Sequence, residues 1–108
     1  MSLIAMALAA ALSNTALDPA ADNEKDLRCI ALIATILPSA DDTGKSALTG
    51  GMLYFIGRIE GRDPKYDLGA NLRRVSKLPA SDFTPDSDRC ATIMSEKGEM
   101  LSKMASGN

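Results

Sequence analysis

The sequence predicts an all-α protein, a compact four-helix bundle with one disulfide between its first and last helices. Three observations carry that expectation. Val occurs once, at Val75, and no run alternates β-branched with polar residues, as strands require. The aromatic residues are only Tyr54, Phe55, Tyr66 and Phe83, with no Trp, so Leu, Ile, Ala and six Met must fill the core, a supply that suits helices. Finally, Pro38, Pro64, Pro79 and Pro85 fall between segments of helical periodicity, each beside a residue that can cap or end a helix. At 108 residues the chain is long enough for one modest core and not for two.

Residues 1–23 read as a signal-like segment followed by a mobile polar linker, and residues 24–108 as a single helical domain. In MSLIAMALAAALSNTA the apolar run from Leu3 to Leu12 is too short to span a bilayer, and Ala11, Leu12 and Ser13 give the small-residue spacing of a cleavage site. No Lys or Arg precedes the run, so an ordinary alanine-rich helix is the other reading. The first helix is expected from Glu24 to Leu37, capped by Asp22 or Asn23 and stopped by Pro38. Leu27, Ile30, Ala34 and Leu37 form one apolar face and Cys29, Leu32 and Ile36 another, so this helix should be central. The second helix is expected over Thr43 to Arg62, with Ser39, Asp41, Asp42 and Thr43 as capping candidates.

Asp63-Pro64 reads as a cap with proline at the first helical position, restarting the chain as a third helix from Pro64 or Tyr66 to Lys77. Leu68, Leu72 and Val75 point it inward. Thr84-Pro85-Asp86 repeats the pattern and opens the last helix, Pro85 to Met104, whose inward side carries Cys90, Ile93, Met94, Leu101 and Met104. Phe83, in the preceding connector, should dock on the core.

Cys29 and Cys90 are distant, in neither CxxC nor zinc-ligand spacing, and the chain has no His. A disulfide is the economical reading and favours a periplasmic or secreted location; two buried thiols in a cytosolic protein are the alternative. Closing a loop of about 60 residues is worth about 4 kcal/mol in the chain-entropy picture.

The formal net charge of −2 gives no electrostatic case for nucleic acid or an anionic membrane. Acids dominate residues 1–44, whereas Arg58, Arg62, Lys65, Arg73, Arg74 and Lys77 crowd residues 57–77, which suggests helix faces that complement one another. No residue constellation implies catalysis, a metal or a cofactor. The commonest base and metal ligand, His, is missing from the chain, and Asp41, Asp42, Asp86 and Asp88 lie at helix starts, where carboxylates cap. The TGKS at residues 43–46 lacks the first glycine of a phosphate loop, which would fall at Ser39.

The stretch YFIGRIEGRDP sharpens the search for a surface. On a helical wheel Leu48, Met52, Phe55, Ile56 and Ile59 share one arc, while Gly50, Gly57 and Gly61 lie opposite with Tyr54 between them. Each helix-interior glycine costs roughly 0.5–1 kcal/mol, so a use is expected: close packing of another helix, a partner surface, or none beyond a weak helix end. The partner surface would comprise Tyr54, Gly57 and Gly61 with Arg58 and Arg62 at its rim.

The order of elements, with a signal-like start, DLRCIALIATIL, YFIGRIEGRD and then TPDSDRC, is similar to small periplasmic helical proteins with one disulfide. The acid-stress chaperones of the HdeA type share this layout, including a Thr-Pro helix start shortly before the second Cys, here Thr84, Pro85 and Cys90; their aromatic residue beside the first Cys has no counterpart at Leu27 or Arg28. Immunity proteins of the Tai type resemble the chain around the glycine-bearing helix. The resemblance implies an exported protein-binding module, an acid-stress chaperone whose Met52, Met94, Met100 and Met104 adapt to partners, or alternatively an inhibitor that neutralises one cognate secreted enzyme.

Overall fold

The structure, a computed structural model, describes residues 18–107; the apolar run at 3–12 and its cleavage pattern lie outside them. Four α-helices account for the fold, and no strand occurs among the described residues.

Helix α1, Pro19–Ile36, starts earlier than the Glu24 expected, so residues 19–23 form its first turns instead of a linker. The cause is a cap-proline pair overlooked in the sequence: the Asp18 carboxylate accepts from the Ala21 N–H at 3.2 Å, and Pro19 occupies the first turn, where its missing N–H costs nothing. After a 3-10 turn at Leu37–Ser39, α2 spans Asp42–Arg62, with the Asp41 carboxylate accepting from the Gly44 N–H at 2.7 Å. Asp63 and Pro64 do not restart a helix. The Asp63 N–H donates to the Ile59 carbonyl and so closes α2, and Asp63 then anchors a turn in which its side chain accepts from Lys65 N–H and its carbonyl from Tyr66 N–H. Helix α3, Leu68–Ser76, is capped one turn later by Asp67, whose side chain accepts from Ala70 N–H at 3.0 Å. A second 3-10 turn, Ala80–Phe83, runs directly into α4, Thr84–Ala105. Thr84 is therefore the first residue of α4, with Pro85 in its first turn as expected, and no side-chain cap bond is made at this start.

Helix α1 contacts each of the other three, as its two apolar faces require. Its Leu27, Cys29, Ile30, Ala31 and Ile33 are buried together with Phe55 and Ile59 of α2, Val75 of α3 and Cys90 of α4. Ala34 and Ile36, expected on its apolar faces, are exposed. Helices α1 and α2 run antiparallel, the end of α2 reaching the start of α1 through Arg62 and Asn23. Leu48, Met52, Ile56, Leu68, Leu72, Phe83, Ile93 and Met94 surround the core as partly buried residues. The inward stripe of α4 is covered only as far as Met94; Leu101 is 61% and Met104 68% exposed.

Cys29 and Cys90 form the disulfide that joins α1 to α4, with Cα atoms 5.5 Å apart. It closes a separation of 61 residues and holds α4 at its second turn. Reduction, or the paired change Cys29→Ser and Cys90→Ser, is expected to lower unfolding free energy by about 4 kcal/mol, read from urea unfolding. A loss below about 1 kcal/mol would mean that the bridge only decorates contacts sufficient by themselves.

Candidate functional site

Buried polar groups divide the basic stretch of the sequence into what the fold uses and what it leaves open. Asn23, Asp26, Leu27 and Ile30 lie along one stripe of α1, so its apolar face is continued by two polar residues toward the N-terminus. Asp26 is 1% exposed. Its carboxylate accepts from Arg62 Nη2 and forms an ion pair with Arg58, whose Nε lies 3.2 Å away. Arg62 Nε donates to the Asn23 side-chain oxygen at 2.8 Å, and Arg58 lies over the Tyr54 ring, 5.5 Å from its centroid. The positions of Arg58 and Arg62, four apart on α2, place both guanidinium groups on the same side facing α1.

Two further ionic contacts tie α1 outward. Arg74 of α3 grips Glu24 in bidentate fashion, at 2.7 and 3.2 Å. Buried Asp86 in the first turn of α4 accepts from Arg28 at 3.1 Å and from Arg89 at 2.8 Å, and Arg28 also donates to the Asp82 carbonyl. The acid-rich and base-rich halves thus pair across helices, but the central pair is buried where solvated faces were expected.

The residues proposed from sequence as one partner surface consequently separate. Arg58 and Arg62 turn inward to Asp26 and do not form a free rim. Gly57 and Gly61 stay exposed, and a Cβ at either, or at Gly50, would meet nothing within 4 Å. No helix of the described chain packs on them, so close internal packing is not their use. Tyr54 is half-buried, edge-on to Phe55.

The glycine that does permit close approach is Gly51, which the wheel left out. A Cβ there would overlap the Met94 thioether and methyl, so Gly51 is where the Met94 side chain of α4 lies against the backbone of α2. The paired Gly50-Gly51 was the available signal. Around this contact the two helices enclose an apolar groove of about 470 Å³, lined by Ala47, Gly50 and Tyr54 of α2 and Met94, Gly98 and Leu101 of α4. Its volume lies in the range of ligand and peptide sites, and its walls carry almost no polar surface. No helix among the described residues is long and apolar enough to cross a membrane.

Two glycine substitutions separate these roles. Gly57→Ala is expected to stabilise the protein by about 0.5–1 kcal/mol, since the site is helical and open. Gly51→Leu is expected to cost about 1–3 kcal/mol by displacing the Met94 side chain from its place against α2. Thermal unfolding of the two variants checks both signs.

Burial pushes the Asp26 carboxyl above its ordinary value of 3.8, and the charges of Arg58 and Arg62 pull it back only in part. The folded chain therefore holds this proton more tightly than the unfolded one. The stabilisation is complete below the ordinary value and is lost as pH rises through the raised folded value. Glu24 behaves oppositely: its hydrogen bond from Arg74 lowers its carboxyl, so its contribution is present above 4.5 and lost as pH falls through the depressed value. Asp26→Ala, which leaves both guanidinium groups facing an empty site, is expected to cost roughly 3–5 kcal/mol. The stability gap between wild type and Asp26→Asn should widen as pH falls from 7 toward 3.8. Narrowing of that gap, in urea unfolding across pH, would show that the arginines outweigh burial.

No family model, curated protein or solved structure matches the chain, so its function has to be argued from this geometry.

Proposed function

We propose that the protein is an exported, disulfide-fixed helical module that binds other proteins, an acid-stress chaperone of the HdeA type being the specific form that its layout suggests. The observation that carries this reading is the apolar α2–α4 groove, one wall of which is Leu101, 61% exposed. A soluble protein leaves such contiguous apolar surface open when a partner covers it. The methionines around it, Met94, Met100 and Met104, have flexible, polarizable side chains that adapt to more than one shape. The rest of the fold supports a binding role. The disulfide and the Arg28–Asp86 pair fix the first half of α4, so the groove wall is held at one end without depending on an occupant.

Inhibition of one cognate enzyme is the second reading. It is favoured by the flat face around Gly57 and Gly61, beside Leu53, which is 63% exposed. Arg58 and Arg62 do not contribute to that face in the way the sequence suggested.

The two readings use different surfaces, so one experiment tells them apart. Amide shifts of the oxidised protein are followed during titration with an amphipathic apolar helical peptide, alongside aggregation of an unfolded client at neutral and acidic pH. The binding-module reading expects shifts confined to residues 46–54 and 94–101 and suppressed client aggregation. Unchanged shifts and unchanged aggregation would overturn it.

A further inference from the structure

The α2–α4 groove carries one charge that the fold does not neutralise. Lys97 lines it, and no carboxylate does. Lys97 is half-buried, whereas Lys25, Lys45, Lys65, Lys77 and Lys103 are exposed. Every other half-buried cation, Arg28, Arg58, Arg62 and Arg89, reaches a carboxylate. Lys97 enters no ion pair among the described residues, and one turn away along α4 it finds only Ile93, Met94, Met100 and Leu101. Its ammonium lies 5.9 Å from the centroid of the Tyr54 ring, which also lines the groove. A lysine placed this way lays its methylenes on apolar surface and keeps its charge at the edge. The Tyr54 hydroxyl accepts from Arg58 Nη1 at 3.5 Å, and its own O–H donates to no group among the described residues. An apolar trough with two uncommitted donors and no acid is complementary to an apolar chain that bears an anion.

We propose that the α2–α4 groove is a binding site for a free single-chain amphiphile with an anionic head, of the fatty-acid class. Its chain lies along Ala47, Gly50, Gly98 and Leu101, and its carboxylate accepts from the Lys97 ammonium and the Tyr54 hydroxyl. The dimensions suit such a ligand. The α2 wall from Ala47 to Tyr54 is two helical turns, about 10 Å, and a volume of about 470 Å³ is that of a small-ligand site. Gly50 and Gly98, whose added Cβ atoms would meet nothing within 4 Å, acquire a use as the open floor on which the chain rests. A net charge of −2 disfavours an anionic bilayer as the source of that head, so the ligand is the free monomer. The inference uses the groove of the protein-binding reading and goes beyond it, since either ligand could occupy the site without the other.

Calorimetric titration of the full oxidised chain with decanoate, decyl maltoside and decyltrimethylammonium, each below its micelle-forming concentration, tests the proposal. Decanoate is expected to bind saturably and most tightly of the three, and decyltrimethylammonium most weakly. Lys97→Glu should weaken decanoate at least about tenfold and reverse the order of the two ions. Gly98→Leu should abolish binding of all three with the helical circular dichroism unchanged, because the position is open and leucine favours a helix more than glycine does. No saturable decanoate binding, equal affinity for the three heads, an order indifferent to Lys97→Glu, or decanoate binding that survives Gly98→Leu would overturn the proposal. A helical peptide that shifts residues 46–54 and 94–101 in a protein that ignores decanoate would remove this inference and leave the binding-module reading standing; decanoate binding without a peptide response would support this inference alone.

Discussion

One helix that has to be satisfied on every side organises this molecule. Helix α1 buries Leu27, Cys29, Ile30, Ala31 and Ile33 within little more than two turns and carries a carboxylate, Asp26, that is removed from water in the same region. An uncompensated buried charge would cost several kcal/mol, so the two guanidinium groups of α2 are constrained to face α1 at Asp26. That constraint fixes the rotation of α2 about its own axis. It places Phe55 and Ile59 against α1 and, as a consequence, turns Gly50, Gly57 and Gly61 to the outside. Glu24 and Arg74 set α3 against the start of α1, and the disulfide, backed by Arg28 and Asp86, sets α4.

The anchoring is concentrated, and the function proposed for the protein occupies what it leaves out. The buried residues of α1 all fall between Asn23 and Ile33, and the second half of α4 and the first half of α2 contribute none to the core they form. Gly51 lets the Met94 side chain approach α2, and past it Leu101 and Met104 of the expected inward stripe are exposed. The groove lies between the parts of the two helices that the buried core does not reach. Its apolar lining continues the core pattern into a region where the core has ended.

Much of the fold was legible in the sequence. Prolines and capping residues marked four helices, two distant cysteines marked the bridge, and apolar residues on two faces marked α1 as central. Boundaries failed where several caps competed: Asp18-Pro19 opened α1 and Asp67 opened α3, while Asp63-Pro64 served as a turn; Thr84-Pro85 did open α4, with Thr84 as its first helical residue instead of its cap. The candidate surface was legible only in part. A wheel shows which face of α2 is bare, but it does not show whether an arginine at its edge turns outward or reaches a carboxylate thirty residues earlier in the chain. Asp26 could have been suspected from its place in register with Leu27 and Ile30. Gly51 was hidden because its role depends on where α4 crosses, a tertiary fact with no local signature beyond the doubled glycine.

Hydrogen exchange of individual amides in the native, oxidised protein tests most directly whether α1 is the hub. The slowest amides are expected between Leu27 and Ile33, followed by those around Phe55 and Ile59 and then the first turns of α4, with residues 98–105 exchanging fastest among the helical amides. Protection that is uniform along α4 to Met104, or a slowest set lying outside α1, would contradict the account.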